Sequence, residues 1–82
     1  MQPPSPRPLE YRVLIALLLA PMTQRQLGQC LDSPMTKVDR VVRRMKGYRS
    51  IHVCGNSKGK HRRQLHALTH LGELWAKDLI TS

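Results

Sequence analysis

The chain has 82 residues, enough for one domain with one modest core. Apolar residues make up 40%, which argues against a disordered chain, and the net charge of +9 indicates a polyanionic partner, with nucleic acid favoured over an anionic membrane surface. Ten of the 14 Lys and Arg residues lie between Lys37 and Arg63, where Asp39 is the only acid. This window carries the whole net charge, whereas a generic solvated surface would mix the signs.

The sequence offers little from which to build an enzyme site. Its five acids are scattered, without paired carboxylates, a nucleophile elbow or a metal-ligand spacing. Cys30 and Cys54 do not form a CxxC pair, which suggests reduced thiols in a cytosol-like compartment. The four histidines show no zinc-finger spacing (His52, His61, His66 and His70). We therefore expect no catalytic residue, no metal and no cofactor.

The chain divides into a proline-rich arm, residues 1–7, and a single domain, residues 8–82. Helix 1 is predicted over Pro8–Ala20 and is apolar nearly all round, so more than one of its sides should be buried. The second side is covered either by the C-terminal helix or by another subunit. The apolar run Val13–Ala20 is shorter than the ~20 residues of a membrane span, which predicts a cytoplasmic, nucleoid-associated protein with no membrane partner.

A second helix follows the turn at Pro21-Met22. Thr23 is a suitable N-cap, and Gln26 completes a capping-box pattern. The helix is predicted to end near Leu31 and to bury Leu27 and Leu31 together with Cys30.

The segment Ser33–Lys46 predicts a third helix with two opposed faces. Ser33 is the expected cap, Pro34 the first helical position and Gly47 the stop. An apolar stripe has the spacing i, i+3, i+4, i+7 (Val38, Val41, Val42 and Met45). The other positions are mainly cationic. Two short helices joined by a tight turn, the second cationic outward, are typical of a helix-turn-helix.

The remaining residues predict a hairpin and a last helix. Strand periodicity in Ser50–Cys54 places Ile51 and Val53 inward, and the returning strand His61–Leu68 places Leu65 and Ala67 inward. The loop between the strands is glycine-rich and cationic, so the hairpin is interpreted as a wing that straddles a nucleic-acid backbone. Thr69 is the expected cap of a helix from His70 to about Ile80 that packs on helix 1.

Three stretches resemble a winged helix-turn-helix of the MarR regulator type: TQRQLGQCL, MTKVDRVVRRMKGYRSI and LTHLGEL, with the hairpin between the last two. The family's strand-to-helix junction is Leu-Thr-x-x-Gly, and Leu68, Thr69 and Gly72 match it. The wing departs from the family pattern, since it has no acid before Arg62 and Arg63. The compact module is similar to small phage or plasmid regulators. The resemblance implies an α+β, mostly helical fold and sequence-directed binding of double-stranded DNA, as in a transcriptional regulator.

In that interpretation the recognition helix, residues 34–47, enters the major groove, and the wing, residues 55–63, contacts the backbone. Expected base-edge and nearby phosphate contacts come from four residues (Thr36, Lys37, Arg40 and Arg44). Phosphate contacts are expected from seven more (Arg25, Arg43, Lys46, Lys58, Lys60, Arg62 and Arg63). Asp39 either orients Arg43 or accepts a hydrogen bond from a cytosine amino group.

A homodimer through helix 1 and the C-terminal helix is expected as a further partner. Two other functions stay open. A protein–protein interaction module would use the apolar excess of helix 1, and binding of RNA or non-B DNA would use the same positive charge.

Overall fold

The computed structural model describes residues 8–59 and 62–81 of the chain. In this part of the chain, four helices and one antiparallel hairpin follow in the order α1 (Pro8–Leu19), α2 (Gln24–Leu31), α3 (Met35–Gly47), β1 (Ile51–Asn56), β2 (Gln64–Leu68) and α4 (His70–Thr81). The predicted order of three helices, a wing hairpin and a last helix is confirmed. The predicted arm lies outside the described residues, so the division into arm and domain stays a prediction.

The core is built from apolar side chains of every helix and of the first strand residue (Val13, Leu14, Ala16, Leu17, Leu27, Leu31, Val38, Val41, Val42, Met45, Ile51 and Ala76). Removing such a Leu, Val or Ile side chain from water contributes about 1.5–3 kcal/mol. Helix α4 packs along α1 and covers its second side, one of the two alternatives that the sequence left open. Leu19, the last residue of α1, stays exposed.

The helix-turn-helix is formed by α2 and α3. The Thr23 hydroxyl accepts from the Gln26 backbone N–H at 3.1 Å, and the Gln26 side chain accepts from the Thr23 N–H at 2.9 Å, so the predicted capping box is confirmed. Three expectations are wrong. Cys30 is exposed. Pro34 rather than Ser33 is the N-cap of α3, without a side-chain hydrogen bond, and Gly47 is still part of α3, with Tyr48 as its C-cap.

A tight junction connects the end of α3 to the start of α4. The buried Ser50 hydroxyl donates to the Met45 carbonyl at 3.1 Å. The Ser50 carbonyl accepts from the Thr69 N–H at 3.0 Å, and Thr69 caps α4 as predicted by accepting from the Gly72 N–H at 3.1 Å. A Cβ added at Gly72 would lie 1.9 Å from the Ser50 oxygen, so this close contact requires glycine.

The wing differs from its predicted side-chain pattern. Its strands pair from Ile51 with Leu68 to the tip, with a register shift between Val53 and Gly55. Ile51 pairs with Leu68 and Val53 pairs with His66 before this shift, so the four residues share one face of the hairpin. On that face Ile51 and His66 are buried, whereas Val53 is exposed. The expectation of an inward Val53 is wrong because its side chain is exposed. The expectation for Leu65 and Ala67 is also wrong, because both alternate along β2 with the buried His66 and are only half-buried.

Candidate nucleic-acid interface

The two faces predicted for α3 are present in the structure. Its four stripe residues are buried in the core (Val38, Val41, Val42 and Met45). Four residues predicted to contact nucleic acid are exposed on the remaining surface (Thr36, Lys37, Arg40 and Arg43). The helix is thus held along its length by its apolar stripe and presents the cationic side chains to solvent.

Arg43 has an acid partner on its own helix. Its Nε atom lies 3.1 Å from an Asp39 carboxylate oxygen, one turn earlier, and the two side chains are 79% and 42% exposed. Of the two roles considered for Asp39, this contact favours the orientation of Arg43. An exposed i,i+4 pair contributes little to stability, about 0.3–0.5 kcal/mol, so Arg43 can leave Asp39 for a phosphate at small cost.

Arg44 has a different environment from the one predicted. Its Nη1 atom lies 2.9 Å from the Glu10 Oε1 atom, and only 30% of the Arg44 side chain and 8% of the Glu10 side chain are exposed. A guanidinium that is bound to a buried carboxylate of α1 is directed toward α1 and is not displayed with Arg40. Arg44 therefore makes a contact between α3 and α1 that the sequence did not predict.

Lys37 and Arg40 have no acid partner in the described part of the chain. Arg40 is four residues from Thr36 and three from Arg43, so the three side chains share one surface of the helix. An exposed, unpaired arginine in this position is free to use both arms of its guanidinium on a base edge or a phosphate.

The other predicted contacts surround α3. Arg25 of α2 and Arg63 of the wing line one surface concavity together with Met35, at the place where α2, α3 and β2 meet. Lys58 and Arg62 line another concavity at the wing tip. Lys46 is half-buried. Lys60 lies outside the described residues, so its predicted role stays a prediction.

The wing tip is closed by two hydrogen bonds between its arms. The Ser57 N–H donates to the Arg63 carbonyl at 2.8 Å, and the Arg63 N–H donates to the Ser57 hydroxyl at 3.1 Å. Gly59 has a φ of 126°, which side chains rarely adopt. These contacts hold the cations of both arms close to one another at the tip.

Sequence reasoning missed three residues of this region. Glu10 is buried, although a lone acid before an apolar run gave no sign of a partner 34 residues away. Met35 is 44% exposed at the first turn of α3, outside the apolar stripe. Its Sδ atom would be 3.1 Å from a Cβ added at Gly28, so it packs on α2 where a side chain is absent.

The third missed residue, His66, lies under the wing. Its backbone pairs with Met22 through hydrogen bonds of 3.0 and 2.7 Å, and its buried Nδ1 atom has no hydrogen-bond partner among the described residues. Burial lowers the pKa of His66, and the nearby positive charge of Lys46 lowers it further. The neutral imidazole is therefore the favoured form of His66, which lies between the helix-turn-helix and the wing.

Residues 8–59 and 62–81 contain no cluster of three His, Cys, Asp or Glu side chains suited to hold a metal ion. Within the same ranges, none of the helices has both the length and the apolar character required to cross a membrane.

Comparison with known proteins identifies the fold. Neither the comparison with protein-family models nor that with curated proteins gives a match. Among solved structures, a double mutant of ZitR from Lactococcus lactis superposes with a TM-score of 0.85 at 17% identity, over 95% of this chain and 53% of that one. NMB1585, a MarR family regulator from Neisseria meningitidis, gives 0.77 at 24% identity over 93% and 54%. Wild-type ZitR in complex with DNA gives 0.79 at 17% identity over 98% and 54%.

These similarities show that the chain has a winged helix-turn-helix fold. More narrowly, the fold is that of MarR-type regulators, as the sequence resemblance implied. The chain spans a little over half the length of these structures.

Proposed function

We propose that this protein binds double-stranded DNA in a sequence-specific manner as a transcriptional regulator and that it is not an enzyme. Helix α3 occupies the major groove, and the wing, residues 55–63, lies against the phosphate backbone. A similar structure was solved in complex with DNA, and the charge of this chain is concentrated on the elements that would face DNA.

The observation that carries the proposal is the state of Arg40. It is exposed on α3, it has no acid partner in the described part of the chain, and it is adjacent to Thr36 and Arg43 on the helix surface. Arginine binds guanine O6 and N7 with two donors, and such a pair contributes about 1–3 kcal/mol of discrimination. We assign base reading to Arg40, with Thr36 and Lys37 beside it.

Met35 adds an apolar contact to this surface. It is a large exposed side chain at the amino-terminal end of α3, where recognition helices contact base edges. The apolar group that the major groove offers is the C5-methyl of thymine. Because Met35 rests against α2 at Gly28, its exposed part is directed by packing, and we assign it to a thymine methyl.

The remaining cations hold phosphates without reading sequence. They are Arg25 on α2, Arg43 and Lys46 on α3, and the wing residues (Lys58, Lys60, Arg62 and Arg63). If about five of these neutralise a phosphate in each protomer, the logarithm of the binding constant falls with the logarithm of salt concentration with a slope of about −4.5.

Selection of bound duplexes from a random pool tests the proposal. We expect enrichment of a guanine-containing motif, and we expect the Arg40→Gln variant to bind the selected duplex more weakly. The Lys77→Gln variant is the matched control, because Lys77 is on α4 and pairs there with Glu73. A pool that shows no enrichment would reject sequence-specific binding.

The same duplex made of RNA separates this proposal from RNA binding. A-form RNA has a deep, narrow major groove that side chains cannot read. We expect the selected sequence to bind much more tightly as DNA than as double-stranded RNA, and equal binding of the two would favour the RNA alternative.

We also propose a homodimer through α1 and α4. Large apolar side chains are exposed on these two helices (Leu19, Leu74 and Ile80). Light scattering on the purified protein should give the mass of two chains, and the selected motif should then be palindromic. A monomer that forms a salt-insensitive complex with another protein would instead support the protein–protein alternative.

A further inference from the structure

We infer that Glu10 keeps Arg44 away from DNA, so that α1 determines how many cations the recognition helix offers. The inference rests on the proposed function. It makes Glu10 a positioning residue that acts through Arg44 and does not contact DNA.

The contact itself is short and shielded from water. The Glu10 carboxylate is in the first turn of α1, its side chain is 8% exposed, and its Oε1 atom is 2.9 Å from Arg44 Nη1. Removing one partner of a shielded ion pair leaves the other charge without compensation. Arg44 therefore stays on Glu10 as long as α1 is in place.

The contact with Glu10 affects DNA binding because of where Arg44 lies on α3. Arg44 is four residues from Arg40, so the two side chains start from neighbouring points on the helix surface. A long arginine side chain that was not bound to Glu10 would be able to turn toward the same DNA backbone. By binding Arg44, Glu10 removes one cation from the set that neutralises phosphates.

A second contact fixes α1 to the other helix of the motif. The Arg12 guanidinium donates to the Leu31 carbonyl, the last residue of α2, at 2.9 Å. Within three residues, α1 is thus bound to both α2 and α3. A displacement of α1 would break the contact with Glu10 and would release Arg44.

Salt titration of DNA binding tests the inference. The variant Glu10→Gln keeps the size and shape of the side chain but removes the negative charge that holds Arg44 and leaves one acceptor oxygen in place of two. Because the released Arg44 would neutralise one more phosphate, we expect the salt slope to steepen by about 0.9. The control Glu73→Gln removes the same charge from an exposed pair on α4, and its slope should equal that of the wild-type protein.

Substitution of Arg44 provides a second, independent test. In the wild-type background, Arg44→Gln should leave the salt slope unchanged, since Arg44 contacts no phosphate. In the Glu10→Gln background it should return the slope to the wild-type value. A slope that becomes shallower by about 0.9 in Arg44→Gln alone would show that Arg44 already contacts DNA and would overturn the inference.

Circular dichroism and thermal unfolding of each variant separate loss of folding from loss of function. If the Glu10→Gln variant does not fold, the inference is tested by the salt slope of the Arg44→Gln variant alone. A folded Glu10→Gln variant with the wild-type slope also overturns the inference. A wild-type protein whose binding does not depend on salt would instead refute the proposed function, so the two failures are distinguishable.

Discussion

Helix α3 and the wing carry the same kind of charge but are held very differently. Helix α3 is anchored along its length by four buried side chains, at its end by the Ser50 hydroxyl, and at one flank by Glu10. Among its described residues, the wing buries Ile51 and His66 at its base. Its tip, with Lys58 and Arg62, is exposed.

Under the proposed function, this difference corresponds to two requirements of DNA recognition. Reading a base edge requires a donor that is fixed within a fraction of an ångström, which a packed helix provides. Holding a phosphate requires only charge at the right distance, and an exposed hairpin provides it. The comparison therefore predicts that changes at α3 alter specificity, whereas changes at the wing tip alter affinity for all sequences.

The largest effect is expected where α3 is joined to α4. In the Gly72→Ala variant the new Cβ would lie 1.9 Å from the Ser50 carbonyl oxygen, and the junction at the end of α3 must shift. We expect a loss of about 3 kcal/mol in the free energy of unfolding, measured by urea denaturation. The control is Gly47→Ala, where no atom of residues 8–59 and 62–81 lies within 4 Å of the added atom. A Gly72→Ala variant as stable as Gly47→Ala would show that the junction does not constrain α3.

The next largest effect distinguishes the helix from the wing directly. We expect Arg40→Gln to reduce discrimination at one guanine by about 1–3 kcal/mol, because the bidentate contact is lost. Lys58→Gln should weaken binding to selected and random duplexes equally and make the salt slope shallower by about 0.9. The measurement is the ratio of binding constants for the two duplexes. An equal change of that ratio in both variants would contradict the division of roles.

The base of the wing is expected to respond to pH. Burial and the charge of Lys46 lower the pKa of His66 in the folded protein. Between this lowered pKa and the usual value near 6.5, the unfolded chain binds more protons, so stability falls as the pH decreases. Thermal unfolding should therefore occur at lower temperature at pH 5.5 than at pH 7.5, and His66→Leu should reduce the difference. His52→Leu, an exposed position on β1, is the control and should retain it.

The smallest effect concerns the apolar contact of Met35. Replacement of the contacted thymine by deoxyuridine removes one methyl group, which is worth about 0.8 kcal/mol, or roughly fourfold in affinity. We expect this loss for the wild-type protein at one thymine of the selected site and not for Met35→Ala. If Met35→Ala loses as much as the wild-type protein at every thymine, Met35 does not read that methyl.

The helix-turn-helix could be predicted from the sequence because its determinants are local. The Thr23 capping box, the i, i+3, i+4, i+7 stripe from Val38 to Met45 and the Thr69 cap each depend on residues within one or two turns. Each of these features is present in the structure.

The features that were missed depend on distant parts of the chain. His66 shares the face of Ile51 and Leu68 because it pairs directly with Val53. Alternation within β2 alone does not tell which of its two faces is the inward one. The removal of Arg44 from the exposed surface depends on Glu10, 34 residues away. From the sequence charge alone, Arg44 and Arg40 were equally good candidates for contacts with DNA. The contact of Arg44 with Glu10, between α3 and α1, distinguishes the two residues.

The central claim is that α3 enters the major groove with Arg40 on a guanine. Replacing each guanine of the selected duplex in turn by 7-deazaguanine, which lacks the N7 acceptor, tests it directly. We expect one position at which the wild-type protein loses about tenfold in affinity while the Arg40→Gln variant loses nothing further. If no guanine is sensitive, or if Arg40→Gln shows the same sensitive position with the same loss, the claim is contradicted.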